Sequence, residues 1–93
     1  MIIEKSKKFD KNLNEVLDYI ATNSLSKAIE FMTQLEEKLL TLPHMPHKFR
    51  KSIYFNDDNI RDYIFKGYVI PYFIDNEHKK IVLLGIVKYR KNL

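Results

Sequence analysis

Histidines and cations are concentrated in one short segment, HMPHKFRK, which spans residues 44–51. Two histidines three positions apart would suit a metal ion on a helix, but Pro46 lies between them and is not compatible with a helix interior. We therefore expect no metal here. The segment could instead contact an RNA backbone or a partner protein, through His47, Lys48, Arg50 and Lys51. The simpler alternative is a polar loop that Met45 and Phe49 attach to the core.

A second group of cations and phenols lies further along the chain. It consists of Arg61 on a predicted strand and of Lys88, Tyr89, Arg90 and Lys91 near the C-terminus. Such groups can hold a phosphate, stabilise a developing oxyanion or bind an acidic peptide, and the sequence does not choose among these roles. Arg61 could equally pair with Asp58 or Asp62. The sequence has neither a Gly-x-Ser-x-Gly elbow nor a glycine-rich phosphate loop, so a standard hydrolase or nucleotide-binding site is unsupported.

Composition limits the class of protein that can carry these groups. The chain has 93 residues, 45% of them hydrophobic, and is expected to form one domain over residues 1–93. It has no cysteine, which excludes disulfides, thiolate catalysis and cysteine-based zinc sites. The net charge of +4 is uneven, because residues 1–43 carry six lysines against seven acids, whereas residues 44–93 carry ten cations against five acids. A basic second half favours an acidic or phosphate-rich partner.

Two helices are predicted in the first half, after a short strand over residues 1–5. Phe9, Leu13, Val16, Leu17 and Ile20 follow the spacing of one helical face, which predicts a helix over about residues 6–22. A second apolar stripe runs from Ala28 to Leu42 and must end at Pro43. Ser24 or Ser26 is the expected N-cap of this second helix. The short break between the helices predicts a helical hairpin.

The second half predicts three consecutive antiparallel strands, over residues 60–65, 67–74 and 80–87, because these runs are rich in Ile, Val, Tyr and Phe. Pro71 conflicts with a central strand, so we expect a bulge there or a backbone position that faces outward. The order β-α-α-β-β-β predicts an α+β fold in which a helical hairpin packs on a mainly antiparallel sheet.

Taken as a whole, the sequence resembles the RelE/ParE superfamily of bacterial type II toxins. The resemblance covers nearly all of the chain. In the first half it rests on a Tyr-Ile, a short break and an Ala-x-x-Phe-x-x-x-Leu pattern before a proline, in DYIATNSLSKAIEFMTQLEEKLLTLPHMP. In the second half it rests on an Arg-containing strand, a Gly-Tyr strand and a final strand with a basic tail, in IRDYIFKGYVIPYFID and IVLLGIVKYRKNL.

The resemblance implies one of two activities. ParE-like members poison DNA gyrase by binding it, and the long helical hairpin and the YVIPY strand are more similar to that branch. RelE-like members cut mRNA on the ribosome, and in that case Arg61, Lys88 and Tyr89 would be catalytic. Val69 departs from the RelE-like pattern, since it follows Gly67-Tyr68 where an arginine is expected, and Lys88 stands where many members of both branches have histidine. A third alternative is a non-toxic interaction module with the same fold.

In either toxin class, His47, Lys48, Arg50, Lys51, Arg90 and Lys91 would contact the target or its RNA. The resemblance also implies an acidic antitoxin that folds on binding, and operator DNA bound only through that antitoxin. We expect no cofactor. The N-terminus lacks the apolar core of a signal peptide and no run is long enough to span a membrane, so a cytoplasmic location is expected.

Overall fold

In the computed structural model, residues 1–89 are described, and they form two helices and five strands. The elements follow the chain as β1 (Ile2–Lys5), α1 (Lys7–Ala21), α2 (Leu25–Leu39), a 3-10 turn (Leu42–His44), β2 (Ile60–Phe65), β3 (Tyr68–Asp75), β4 (Lys80–Leu83) and β5 (Val87–Lys88). The predicted α+β class and element order are confirmed. Within residues 1–89, no helix is both long and apolar enough to cross a membrane.

Both helices begin at a serine that caps them. The Ser6 Oγ accepts a hydrogen bond from the Phe9 N–H at 3.0 Å, and the Ser24 Oγ accepts one from the Lys27 N–H at 3.2 Å. Ser24, one of the two predicted candidates, is therefore the N-cap of α2. The second helix ends at Leu39, earlier than predicted, and the chain reaches Pro43 through the separate 3-10 turn. Leu42 is nevertheless fully buried, so the predicted apolar stripe continues past the end of the helix.

The sheet has the order β1-β4-β3-β2, with β5 paired to the start of β3. The β1–β4 pair is parallel, and the other pairs are antiparallel. The β2–β3 hairpin closes through Lys66 and Gly67, whose φ angles are 47° and 83°. Positive φ at both central residues is the requirement of a type I′ turn, which matches the twist of the strands it joins.

Pro71 divides the predicted last strand into β4 and β5. Leu84 donates its N–H to the Pro71 carbonyl at 2.8 Å, but Pro71 has no N–H with which to complete the pair. The unmatched Leu84 carbonyl accepts a hydrogen bond from the Ser6 Oγ at 3.3 Å. The prediction of one strand over residues 80–87 was wrong for this reason. The irregularity expected at Pro71 lies at Leu84, directly after β4, the strand that pairs with β3.

The helices pack on one face of the sheet and leave the other without a helix. Side chains at Ile70, Tyr72 and Ile74 join the helical core residues in one buried cluster. Because side chains alternate along a strand, Val69, Pro71 and Phe73 point to the opposite face, which we call the outer face. The core consists of Phe9, Leu13, Phe31, Leu35, Leu39, Leu42, Tyr63, Phe65, Ile70, Tyr72, Ile74, Ile81, Leu83 and Ile86.

Candidate functional site

Apart from His44, which ends the 3-10 turn, the segment HMPHKFRK lies in a long connecting loop, residues 45–59, between that turn and β2. The loop pairs with the edge of β2 through a single bridge between Lys51 and Arg61. The Ser52 N–H donates to the Ile60 carbonyl at 2.8 Å, and the Asp62 N–H donates to the Arg50 carbonyl at 3.1 Å. Loops of this length that lack their own secondary structure are often functional, and this one is fixed to the sheet at its centre.

Arg61 holds the loop from the helix side of the sheet. Its Nε donates to the Asp58 carbonyl at 3.0 Å. Its Nη1 donates to the carbonyls of His47 and Phe49, at 3.2 and 3.0 Å. One guanidinium therefore joins the two ends of the connecting loop. Of the two partners that the sequence suggested, Arg61 contacts the backbone of Asp58.

Asp62 holds the same loop from the outer face. Its register partner is Pro71, and its side chain is fully buried. The Oδ2 atom accepts hydrogen bonds from the Arg50 Nη2 at 3.2 Å and from the Ile53 N–H at 3.1 Å. The Oδ1 atom is buried and has no hydrogen-bond partner. Asp62 was missed as a site residue, although an acid between Ile60 and Ile64 on an otherwise apolar strand face was a signal.

Tyr72 supports the start of the loop from the core. Its hydroxyl donates to the Pro46 carbonyl at 2.6 Å, and its side chain is fully buried. Burial raises the pKa of Tyr72 to about 12, and the Arg61 charge opposes that increase. Phe49 packs edge-on against Tyr63, with ring centroids 5.0 Å apart, as expected for a core anchor. The same expectation for Met45 was wrong, because Met45 is 62% exposed and Phe49 and Tyr72 provide the attachment instead.

The loop brings Arg50 to the end of β5. The Arg50 guanidinium carbon lies 5.9 Å from the centroid of the Tyr89 ring, within the range of a cation–π contact. Tyr89 is placed by its N–H, which donates to the Gly67 carbonyl at 2.7 Å. The connecting loop thus places one cation, Arg50, beside one exposed phenol, Tyr89. We call this arrangement the Arg50–Tyr89 pair.

The other predicted contact residues surround this pair less closely. Lys48 lies over the Phe49 ring, with its Nζ 5.5 Å from the centroid, and Lys51 forms an exposed ion pair with Asp58 at 3.1 Å. His47 is exposed, and its carbonyl is held by Arg61. Arg90 and Lys91 lie outside the described residues. Within residues 1–89, no three side chains of His, Asp or Glu come together in a way that could hold a metal ion.

A cleft of about 370 Å³ lies beside Lys88, between α1 and β5. Its walls are mostly apolar and include Val16, Tyr68 and Ile86. Glu15 and Lys88 place opposite charges at its rim. The cleft therefore offers an apolar floor beside Lys88, on the helix side of the sheet.

A family model described as the ParE toxin of the type II toxin-antitoxin system, parDE, matches residues 3–93. The chain belongs to this family. It is thus a ParE-like member of the RelE/ParE superfamily and the toxin component of a type II toxin-antitoxin system, and its partner is an antitoxin.

The fold is also found among solved structures. One chain of a structure described as the chromosomal ParDE TA system from P. aeruginosa matches with a TM-score of 0.76 and 16% sequence identity, over 97% of each chain. At this identity the match concerns the fold of the toxin and not its individual residues. No curated protein matches the sequence significantly.

Proposed function

We propose that this toxin stops bacterial growth by binding and poisoning DNA gyrase, and that it does not cut RNA. The observation that carries the proposal is the environment of Arg61. A nuclease of the RelE type would need this guanidinium at the reacting phosphate, to stabilise the extra negative charge of the transition state. Here the Nε and Nη1 atoms of Arg61 are bound to three carbonyls of the connecting loop, so its role is to fix that loop.

Two further positions support binding over cleavage. Val69, where RelE-like members have an arginine, is completely buried and offers no group to a phosphate. Lys88, where many members have a histidine, is an exposed ammonium group that has no lone pair while it is protonated. A general base must have a free lone pair at the operating pH. The chain therefore lacks both the additional cation and the usual proton acceptor of the nuclease branch.

The surface around the Arg50–Tyr89 pair suits a protein target. Arginine and tyrosine are enriched among the residues that dominate binding energy in protein interfaces, because they combine apolar area with hydrogen-bonding groups. Both side chains are exposed, and the loop that carries Arg50 is fixed before any partner arrives. Lys48, Lys51 and His47 extend the surface along the loop, and an acidic antitoxin would complement the same charges. Operator DNA would be bound through the antitoxin, in the cytoplasm where gyrase acts.

One arrangement favours ribosome-dependent mRNA cleavage as a second candidate. Arg50 and Tyr89 place a cation beside a phenol, which could hold a phosphate near a proton donor. In this alternative Arg50 would take the electrostatic role that was predicted for Arg61. Asp62 counts against it, because its carboxylate already neutralises part of the Arg50 charge at 3.2 Å.

The deciding experiment is primer extension on translated mRNAs, taken minutes after the toxin is induced in a bacterium without the antitoxin. Intact mRNA, growth arrest and covalent gyrase–DNA complexes are the expected results. Cuts within reading frames that disappear when translation is blocked would contradict the proposal. Harmless induction of the folded protein would instead support a non-toxic interaction module.

Two matched variants test whether growth arrest depends on the surface around the Arg50–Tyr89 pair. Arg50→Ala removes one cation of the Arg50–Tyr89 pair, whereas Lys27→Ala removes one exposed cation from the first turn of α2. Growth arrest should be reduced by the first substitution and unchanged by the second.

A further inference from the structure

Considered for stability alone, the burial of the Asp62 carboxylate is unfavourable. Its carboxylate is removed from water, and only one of its two oxygens has hydrogen-bond partners. Removing a carboxylate from water is unfavourable unless its partners compensate, and an unpartnered buried oxygen adds to the cost. A neutral side chain of similar size would avoid that cost. The role of Asp62 is therefore sought in the contacts that its side chain makes.

These contacts join two parts of the connecting loop that differ in character. The Arg50 side chain is a cation, and 37% of it is exposed. The Ile53 N–H begins the segment Ile53-Tyr54-Phe55, whose side chains are 65%, 46% and 44% exposed. A second bond, from the Tyr54 N–H to the Ser52 Oγ at 3.1 Å, holds the same segment. One carboxylate oxygen thus fixes a cation and the start of an exposed apolar segment at a constant separation.

We propose that Asp62 is the positioning residue of the target-binding surface, and that it orients the Arg50 guanidinium toward Tyr89 before the target binds. The inference rests on the proposed function, because it assigns a residue to the surface proposed there. A free arginine side chain on a loop samples many rotamers and must be ordered when a complex forms. With Asp62 on one side and the Tyr89 ring on the other, most of that ordering is complete in the free toxin.

The test is a double-mutant cycle between Asp62 and Arg50. Asp62→Asn keeps a side-chain oxygen that can accept from the Ile53 N–H, but it removes the charge that holds Arg50. We expect Asp62→Asn to weaken target binding and growth arrest about tenfold, and to have no further effect in an Arg50→Ala background. Equal effects of Asp62→Asn in both backgrounds would overturn the proposal. Asp57→Asn is the matched control, since Asp57 is an exposed acid of the same loop whose carboxylate accepts a hydrogen bond from the Asn59 N–H and does not contact Arg50.

A measurement on the unmodified toxin covers the case in which Asp62→Asn does not fold. In ¹⁵N NMR spectra, a guanidinium held by a carboxylate gives a shifted side-chain signal with slow rotation, and a free one gives an averaged signal. The Arg50 signal should be shifted and slow in the wild type, and averaged in Asp62→Asn if that variant folds. An averaged Arg50 signal in the wild type would overturn the proposal without any variant.

Different results would contradict gyrase as the target and Asp62 as the positioning residue. If gyrase is not the target, wild-type toxin will not bind gyrase, while growth arrest and the NMR signal still report on Asp62 and Arg50. If the positioning role is wrong, wild-type toxin will still poison gyrase, but Asp62→Asn and Arg50→Ala will act independently.

Discussion

Arg61, on β2, should contribute more to the stability of the toxin than any cation of the connecting loop. Arg61→Ala removes the donor of three hydrogen bonds to the carbonyls of Asp58, His47 and Phe49. A hydrogen bond from a charged donor contributes about 1.5–3 kcal/mol, and the bond to His47 is exposed and 3.2 Å long, so we count about two effective bonds. Because water can reach part of the site, the lower end applies, and the expected loss of unfolding free energy is about 3 kcal/mol.

Urea unfolding of the purified toxin measures this loss, with trypsin cleavage at Lys48 and Lys51 as a report on the loop itself. Lys51→Ala is the control from the same loop. The Lys51–Asp58 ion pair is exposed on both sides, so its removal should cost less than about 0.5 kcal/mol. If Arg61→Ala unfolds within about 0.5 kcal/mol of the wild type and its loop resists trypsin equally, the assignment of Arg61 as the fixing residue is refuted.

Three further predictions concern the framework around the site. The pKa of Tyr72 is about 12 in the folded protein and 10.0 is its ordinary value, so its contribution to stability is fully present below pH 10 and is lost as the pH rises toward 12. This contribution is about 2–3 kcal/mol. Its loss should be absent in Tyr72→Phe when the free energy of unfolding is measured against pH. Lys66→Asn should raise the thermal midpoint, by about 0.5 kcal/mol of stability, since the φ angle of 47° at this turn position suits asparagine better than lysine. Gly85→Ala places a Cβ 3.0 Å from the Asn12 Oδ1, which accepts a hydrogen bond from the Ile86 N–H at 3.0 Å. Calorimetry should therefore show a loss of about 1–2 kcal/mol of unfolding free energy. An unchanged thermal midpoint would mean that Asn12 moves without cost.

The helices and the order of the elements were predictable because they depend on local patterns. Apolar spacing along α1 and α2 was sufficient for the hairpin, and it left two candidates for the cap of α2, of which the structure selects Ser24. The division of the last strand was not predictable from residues 80–87, because its cause, Pro71, lies on the neighbouring strand. The parallel pairing of β1 with β4 likewise depends on the path of the whole chain and not on Ile2 and Ile3.

The cations and the phenol of the candidate site could be named from the sequence, whereas Asp62 and the connections among these residues could not. The loop cations and Tyr89 could be listed from the sequence, since residue types alone indicate which groups can contact an anion or a partner. The neighbourhood of Arg50 and Tyr89 requires the register of β5 on β3, which no spacing rule provides. Arg61 and Asp62 are adjacent in sequence yet hold the loop from opposite faces of the sheet, because side chains alternate along a strand. The sequence therefore drew attention to Arg61 by its residue type, but not to the loop carbonyls that it binds.

The most direct test of the proposed function uses purified gyrase, plasmid DNA and the purified toxin. We predict that wild-type toxin inhibits supercoiling and traps covalent gyrase–DNA complexes at concentrations comparable to the enzyme, and that Arg50→Ala requires about tenfold more protein. Normal supercoiling at excess wild-type toxin that still arrests growth would contradict gyrase as the target.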